Sequence, residues 1–144
     1  MWKIRAAILA CGSILFADVG MAQVLVVQPS IGCTPGKHLS TASTNAKSIK
    51  GSTGTLCKLV VINTTATIYY LKFYDVATAP ACNSVEPVAV YAVPAATGGA
   101  GIAIPLGPFG EFYAYGIGLC LTGGIADNDN SSAAAGVTIS YSTK

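Results

Sequence analysis

The chain has 144 residues, is 52% hydrophobic and only 10% charged, and carries a net charge of +2 at neutral pH. Its single arginine, Arg5, sits near the start, so the chain after residue 22 has six lysines, five acids and no arginine. A near-neutral surface without guanidinium forks argues against nucleic acid or anionic membrane as partners.

Residues 1–22 read as a secretory signal peptide. Lys3 and Arg5 form a positive n-region, Ala6 to Phe16 an apolar core, and Gly20-Met21-Ala22 a small-x-small cleavage site before Gln23. A retained anchor is the alternative, but the apolar run is short for a bilayer span. A lipoprotein reading on Cys11 would leave few apolar residues ahead of the modified cysteine. The expectation is a secreted or periplasmic domain over 23–144, folded where thiols oxidise and without stable membrane insertion. Cys33, Cys57, Cys82 and Cys120 remain in that part.

In chain order, Val24 to Val27 is a short apolar run, and Gly32 to Gly36 a turn cluster. Lys37 to Ala42 and Ala46 to Lys50 are half-polar strand candidates. Thr55 to Asn63 alternates, with Cys57, Leu59 and Val61 on one face and Lys58, Val60 and Ile62 on the other. After Thr64-Thr65-Ala66, Thr67 to Asp75 returns with Tyr69, Leu71 and Phe73 opposite Tyr70, Lys72 and Tyr74, which reads as a hairpin. The lysines mark solvent faces, so Leu59, Val61, Leu71 and Phe73 are the predicted core. Further strands are expected at Val88 to Val93, Ala100 to Leu106, Glu111 to Tyr115, Ile117 to Leu121 and Gly136 to Tyr141. Gly116 either bends one strand or separates two. No segment of helical length carries a 3.6-residue period. Eight or nine short strands punctuated by Gly and Pro predict an all-β fold: one antiparallel β-sandwich, jelly-roll-like.

Three segments carry a family resemblance: "STNAKSIK" from Ser43, Asn63 followed by "YLKFYD-x-ATAP" ending at Pro80, and "GLCLTGGIADND" from Gly118 to Asp129. Together they resemble small all-β proteins of tailed-phage and prophage structural-gene regions. The resemblance implies a virion-associated or surface-displayed β module with no catalytic residues to carry over. Relative to that pattern, this chain adds the signal peptide, Cys82 and Cys120.

Four cysteines allow three pairings, and their spacings contain no C-x-x-C unit of a zinc site. The preferred pairing joins Cys57 to Cys120, as a clamp between strands, and Cys33 to Cys82. The runner-up joins Cys57 to Cys82 and Cys33 to Cys120. His38, the only histidine, has no nucleophile or orienting acid in its sequence context, so it reads as a strand or surface residue. Asp127 and Asp129 form the closest acidic pair, a weak Ca²⁺ candidate that lacks the Gly and distal Glu of an EF-hand. Their simpler role is turn hydrogen bonding. Gly98 to Gly101 precedes a strand and lacks the Walker lysine, so it reads as a connection. Asn63-Thr64-Thr65 and Asn130-Ser131-Ser132 match a glycosylation acceptor but are read as turns.

Tyr70, Tyr74, Tyr113 and Tyr115 are the candidate binding face, able to stack on sugars or anchor an interface. Cross-strand pairing is the plainer account of the tyrosines. No metal and no cofactor is expected, and no enzyme. The functional expectation is an exported structural or adhesion module acting by self-assembly or by binding a cell-surface or glycan partner. The alternative is a secreted carbohydrate- or small-ligand-binding domain using the tyrosines.

Overall fold

A computed structural model describes residues 32–144. The signal peptide, its cleavage site, Cys11 and the Val24–Val27 run therefore lie outside the described residues. Nine strands follow in order: β1 (Thr34–Leu39), β2 (Lys47–Lys50), β3 (Gly54–Asn63), β4 (Tyr69–Asp75), β5 (Ala89–Val93), β6 (Ile102–Ile104), β7 (Glu111–Tyr113), β8 (Ile117–Thr122) and β9 (Val137–Thr143). The Gly98–Ala100 segment is one 3-10 turn.

The strands form two antiparallel sheets. The first runs β1-β9-β3, with β6 and β7 both pairing to the far side of β3; the second runs β2-β8-β4-β5. The β6–β7 edge is interrupted by Pro105 and Pro108, which cannot donate to a ladder and so blunt this margin against strand addition. If β6 and β7 are counted as one interrupted strand, the chain changes sheet at every connection except β4–β5. That is the jelly-roll form of the sandwich.

The predicted β3–β4 hairpin is corrected by this topology, since the two strands lie in opposite sheets. Alternating in-and-out residues describe a strand that pairs with its neighbour and one that faces it across a core equally well. Asn63 secures the crossing. It is fully buried, and its Nδ2 donates to the carbonyls of Thr67 (2.9 Å) and Pro94 (3.0 Å). Its Oδ1 accepts from the Thr65 amide (3.0 Å) and hydroxyl (2.8 Å). Four polar contacts at one side chain turn the backbone out of one sheet and into the other. A buried, committed Asn63 is a structural hinge and not an open acceptor site.

The second crossing, at 114–116, answers the question left at Gly116: β7 and β8 are separate strands in different sheets. The Asp75 carboxylate accepts the amides of Ala114 (3.0 Å), Tyr115 (2.7 Å) and Gly116 (3.2 Å). A side chain at Gly116 would meet Ala77 Cα at 2.7 Å and the Lys50 and Val76 carbonyls at 2.8 Å.

The predicted core residues Leu59, Val61, Leu71 and Phe73 are all buried between the sheets, with Leu56, Ile117, Leu119, Leu121, Val137 and Ile139. Each such side chain contributes on the order of 1.5–3 kcal/mol by leaving water. The expected inward position of Cys57 is corrected: the β3–β9 register shifts between Leu56 and Lys58, so Leu56 turns inward and Cys57 out.

Candidate functional site

The outer faces of the two sheets differ. On the second sheet the register aligns Tyr70 with Thr122, Lys72 with Cys120 and Tyr74 with Gly118. Loops 76–88 and 123–131 lie over this face. Cys82 and Val76 pack on Tyr74 and Cys120 as a second small cluster, and a Cβ at Gly118 would meet Val76 at 2.9 Å and Pro80 at 3.0 Å. The Tyr74 hydroxyl donates to the Cys82 carbonyl (3.3 Å). Burial, with the Asp127 charge behind it, raises that phenol's pKa.

Lys72 corrects the expectation that lysines mark solvent. It is fully buried under the 123–131 loop, where Nζ donates to the carbonyls of Ala126 (2.5 Å) and Asp129 (3.1 Å). A buried ammonium requires such partners. Burial lowers its pKa, and the charges of Asp129 and Asp127 oppose that shift.

The structure corrects both the preferred and the runner-up cysteine pairing. The structure joins Cys33 to Cys57 (Cα–Cα 6.5 Å) and Cys82 to Cys120 (Cα–Cα 6.0 Å). Cys120 points out of the second sheet and Cys57 out of the first, so a Cys57–Cys120 clamp would have to pass through the core. The first bridge joins the strands flanking β9, since Thr34 and Leu56 both align with Thr143. The second pins the 76–88 loop to its sheet.

The tyrosine face is dispersed. Tyr74 and Tyr113 are buried, Tyr70 is half-buried and Tyr115 is 72% exposed. Tyr113 lies in the core beside Phe73 (centroids 6.4 Å apart). Its hydroxyl donates to Glu111 (2.9 Å), which also accepts the Tyr91 hydroxyl from the opposite sheet. Burial and that carboxylate raise both phenol pKa values strongly. These three residues tie the sheets together at one margin.

Among the described residues no group of three or more His, Cys, Asp and Glu side chains is placed to hold a metal ion. The Asp129 carboxylate accepts from the Gly124 amide (2.6 Å) and the Ser131 hydroxyl (2.7 Å), so it organises its own loop, as the turn reading expected. The Ser131 hydroxyl leads the causes that lower its pKa, with the Gly124 amide next among those acting in that direction. Asp127 instead lines an open cleft of about 310 Å³ with Asn83, Ser84, Val85, Glu86 and Asn128, between the two covering loops. His38 is half-buried on β1 and its Nε2 meets Asn45 Oδ1 at 3.3 Å. Burial lowers its pKa, opposed by that hydrogen bond.

Among the described residues no loop covers the first sheet in this way. Its outward rows are Leu39–Thr138–Ile62, Lys37–Ser140–Val60–Ala103 and Pro35–Ser142–Lys58. A hollow of about 450 Å³ lies over Pro35, Lys58, Val60, Ser140, Tyr141 and Ser142. At one end Phe112, opposite Thr55, is 68% exposed, near Phe109 at 86% in sequence. Sequence reasoning missed these two phenylalanines. The signal was there: Phe109 stands between Pro108 and Gly110, where turn geometry keeps a large side chain from the core.

Comparison of the chain with protein-family models, with curated proteins and with solved structures finds no match.

Proposed function

We propose that this protein is an exported, non-enzymatic structural or adhesion module that acts by assembly or binding, in the manner of the phage surface proteins it resembles. The observation that supports this reading is the outer face of the first sheet, which no loop among the described residues covers. There Leu39 (57% exposed) and Phe112 (68%) stand at opposite ends of a face that also carries Val60, Ile62 and two lysines. Large apolar side chains left on an open sheet face mark a candidate interaction surface. Export agrees with the two disulfides, and no helix among the described residues is long and apolar enough to cross a membrane.

Size-exclusion chromatography with light scattering on the chain beginning at Gln23 tests the reading. The expected result is a species larger than a monomer, reduced by Leu39→Ser with Phe112→Ser. A strictly monomeric protein that binds a glycan array and loses binding on Tyr115→Ala would replace this reading with carbohydrate recognition. Tyr115 is the one exposed member of the candidate tyrosine set.

A further inference from the structure

The fully exposed charges are divided between the two sheets, acids on the cover of the second and lysines on the first. Of the five acids after residue 22, Asp75 holds the 114–116 amides, Glu111 holds two tyrosine hydroxyls and Asp129 holds its own loop. The other two, Glu86 and Asp127, are exposed and line the same cleft on the cover of the second sheet. Of the six lysines after residue 22, Lys72 is buried, Lys47 and Lys50 are half-buried on β2, Lys144 is exposed just after β9, and Lys37 and Lys58 are exposed on the bare face of the first sheet.

Apolar exposure follows the same division. The cover presents Val85 (40%), Val88 (63%) and Ile125 (64%) around its acids, and the bare face presents Leu39, Val60 and Phe112 beside its lysines. Each surface therefore offers apolar groups to the other together with charge of the opposite sign. Against a copy of itself, either surface would set like charges together.

From this complementarity we infer that the occupant of the bare face is the loop cover of a second copy of this chain, docked head to tail. Lys37 and Lys58 of one copy face Glu86 and Asp127 of the next. The contact joins two different surfaces, so it is heterologous: every bound copy still offers one free face and one free cover. Successive copies then form a ring if the rotation closes and a filament if it does not. Opposite charges set the order and register of such a contact more than its strength. Added salt weakens it, because the screening length is about 8 Å at physiological ionic strength.

The inference rests on the assembly reading, and two charge-reversed variants separate their failures. One carries Lys37→Glu and Lys58→Glu, the other Glu86→Lys and Asp127→Lys. All four positions are exposed, and circular dichroism checks that both variants fold. By light scattering, each variant alone is expected to be monomeric at a concentration where the native protein associates. A one-to-one mixture should then associate again, because the acidic face of the first fits the basic cover of the second. The unmutated acidic cover of the first also fits the unmutated basic face of the second, so the two variants should alternate along the assembly and recover the native size distribution. If the native protein associates and the variants associate equally well, the head-to-tail contact is wrong while assembly stands. If the native protein is monomeric, both fail.

Discussion

The two sheets of this sandwich present the same inner face and opposite outer ones. Inside, both supply alternating apolar residues to one core. Outside, the second sheet is sealed by two loops, a disulfide and a buried lysine, whereas the first meets solvent with serines, threonines and exposed apolar groups. Sealing an outer face makes its residues structural. Leaving one open keeps its residues free for recognition, so stability and interaction should separate by sheet when mutated.

The largest effect should come from the cover's disulfide. Replacing Cys82 and Cys120 by serine frees a 38-residue loop and leaves a hydroxyl at the fully buried Cys120 position. The expected loss is about 4 kcal/mol in the chain-entropy model. Replacing Cys33 and Cys57, which close 24 residues at a half-buried site, should cost about 3.5 kcal/mol. Denaturant unfolding measures both. Peptide mapping that found Cys57 linked to Cys120 would overturn the comparison at its root.

Lys72 comes next. Lys72→Ala leaves a void and two carbonyls without their donor, for an expected loss of about 2–3 kcal/mol. Lys72→Met restores the volume and should recover about half of that. Lys58→Ala, on the open face, should change stability by no more than about 0.5 kcal/mol. Equal losses at the two lysines would mean that the faces do not differ as described.

Acid should loosen the sealed side first. Asp129 and Asp75 accept hydrogen bonds that hold their pKa values below the ordinary 3.8. A carboxylate with a lowered folded pKa gives stability that is complete above its unfolded value and lost as the pH falls through the folded one. The melting temperature should therefore drop below about pH 4, with amides of 123–131 exchanging before those of β3 and β9. Asp129→Asn should flatten part of that drop. A melting temperature independent of pH down to about 2 would sink the assignment.

Much of the fold was legible in the residues. Alternation located the strands and the Leu59, Val61, Leu71 and Phe73 core, because burial on one face imposes a period of two on any sheet. Alternation is silent on which strand pairs with which. The β3–β4 crossing, the separation of β7 from β8 and the bulge at Cys57 were all settled by contacts distant in sequence. The disulfide pairing followed from them, since pairing depends on which way Cys57 and Cys120 point. The tyrosine face failed for a related reason: Tyr70 and Tyr74 share a strand face, but Tyr113 points into the core from the other sheet.

What the sequence by itself determined is local: short strands, turn chemistry, one apolar face per strand and an all-β class. Those follow from backbone sterics and side-chain period, which act over a few residues. Only the tertiary structure decided that Lys72 is buried, that the cysteines pair in the third arrangement, and that one sheet face is sealed and the other open. Each of these depends on a loop lying over a strand from elsewhere in the chain, and no periodicity within a segment encodes what will cover it.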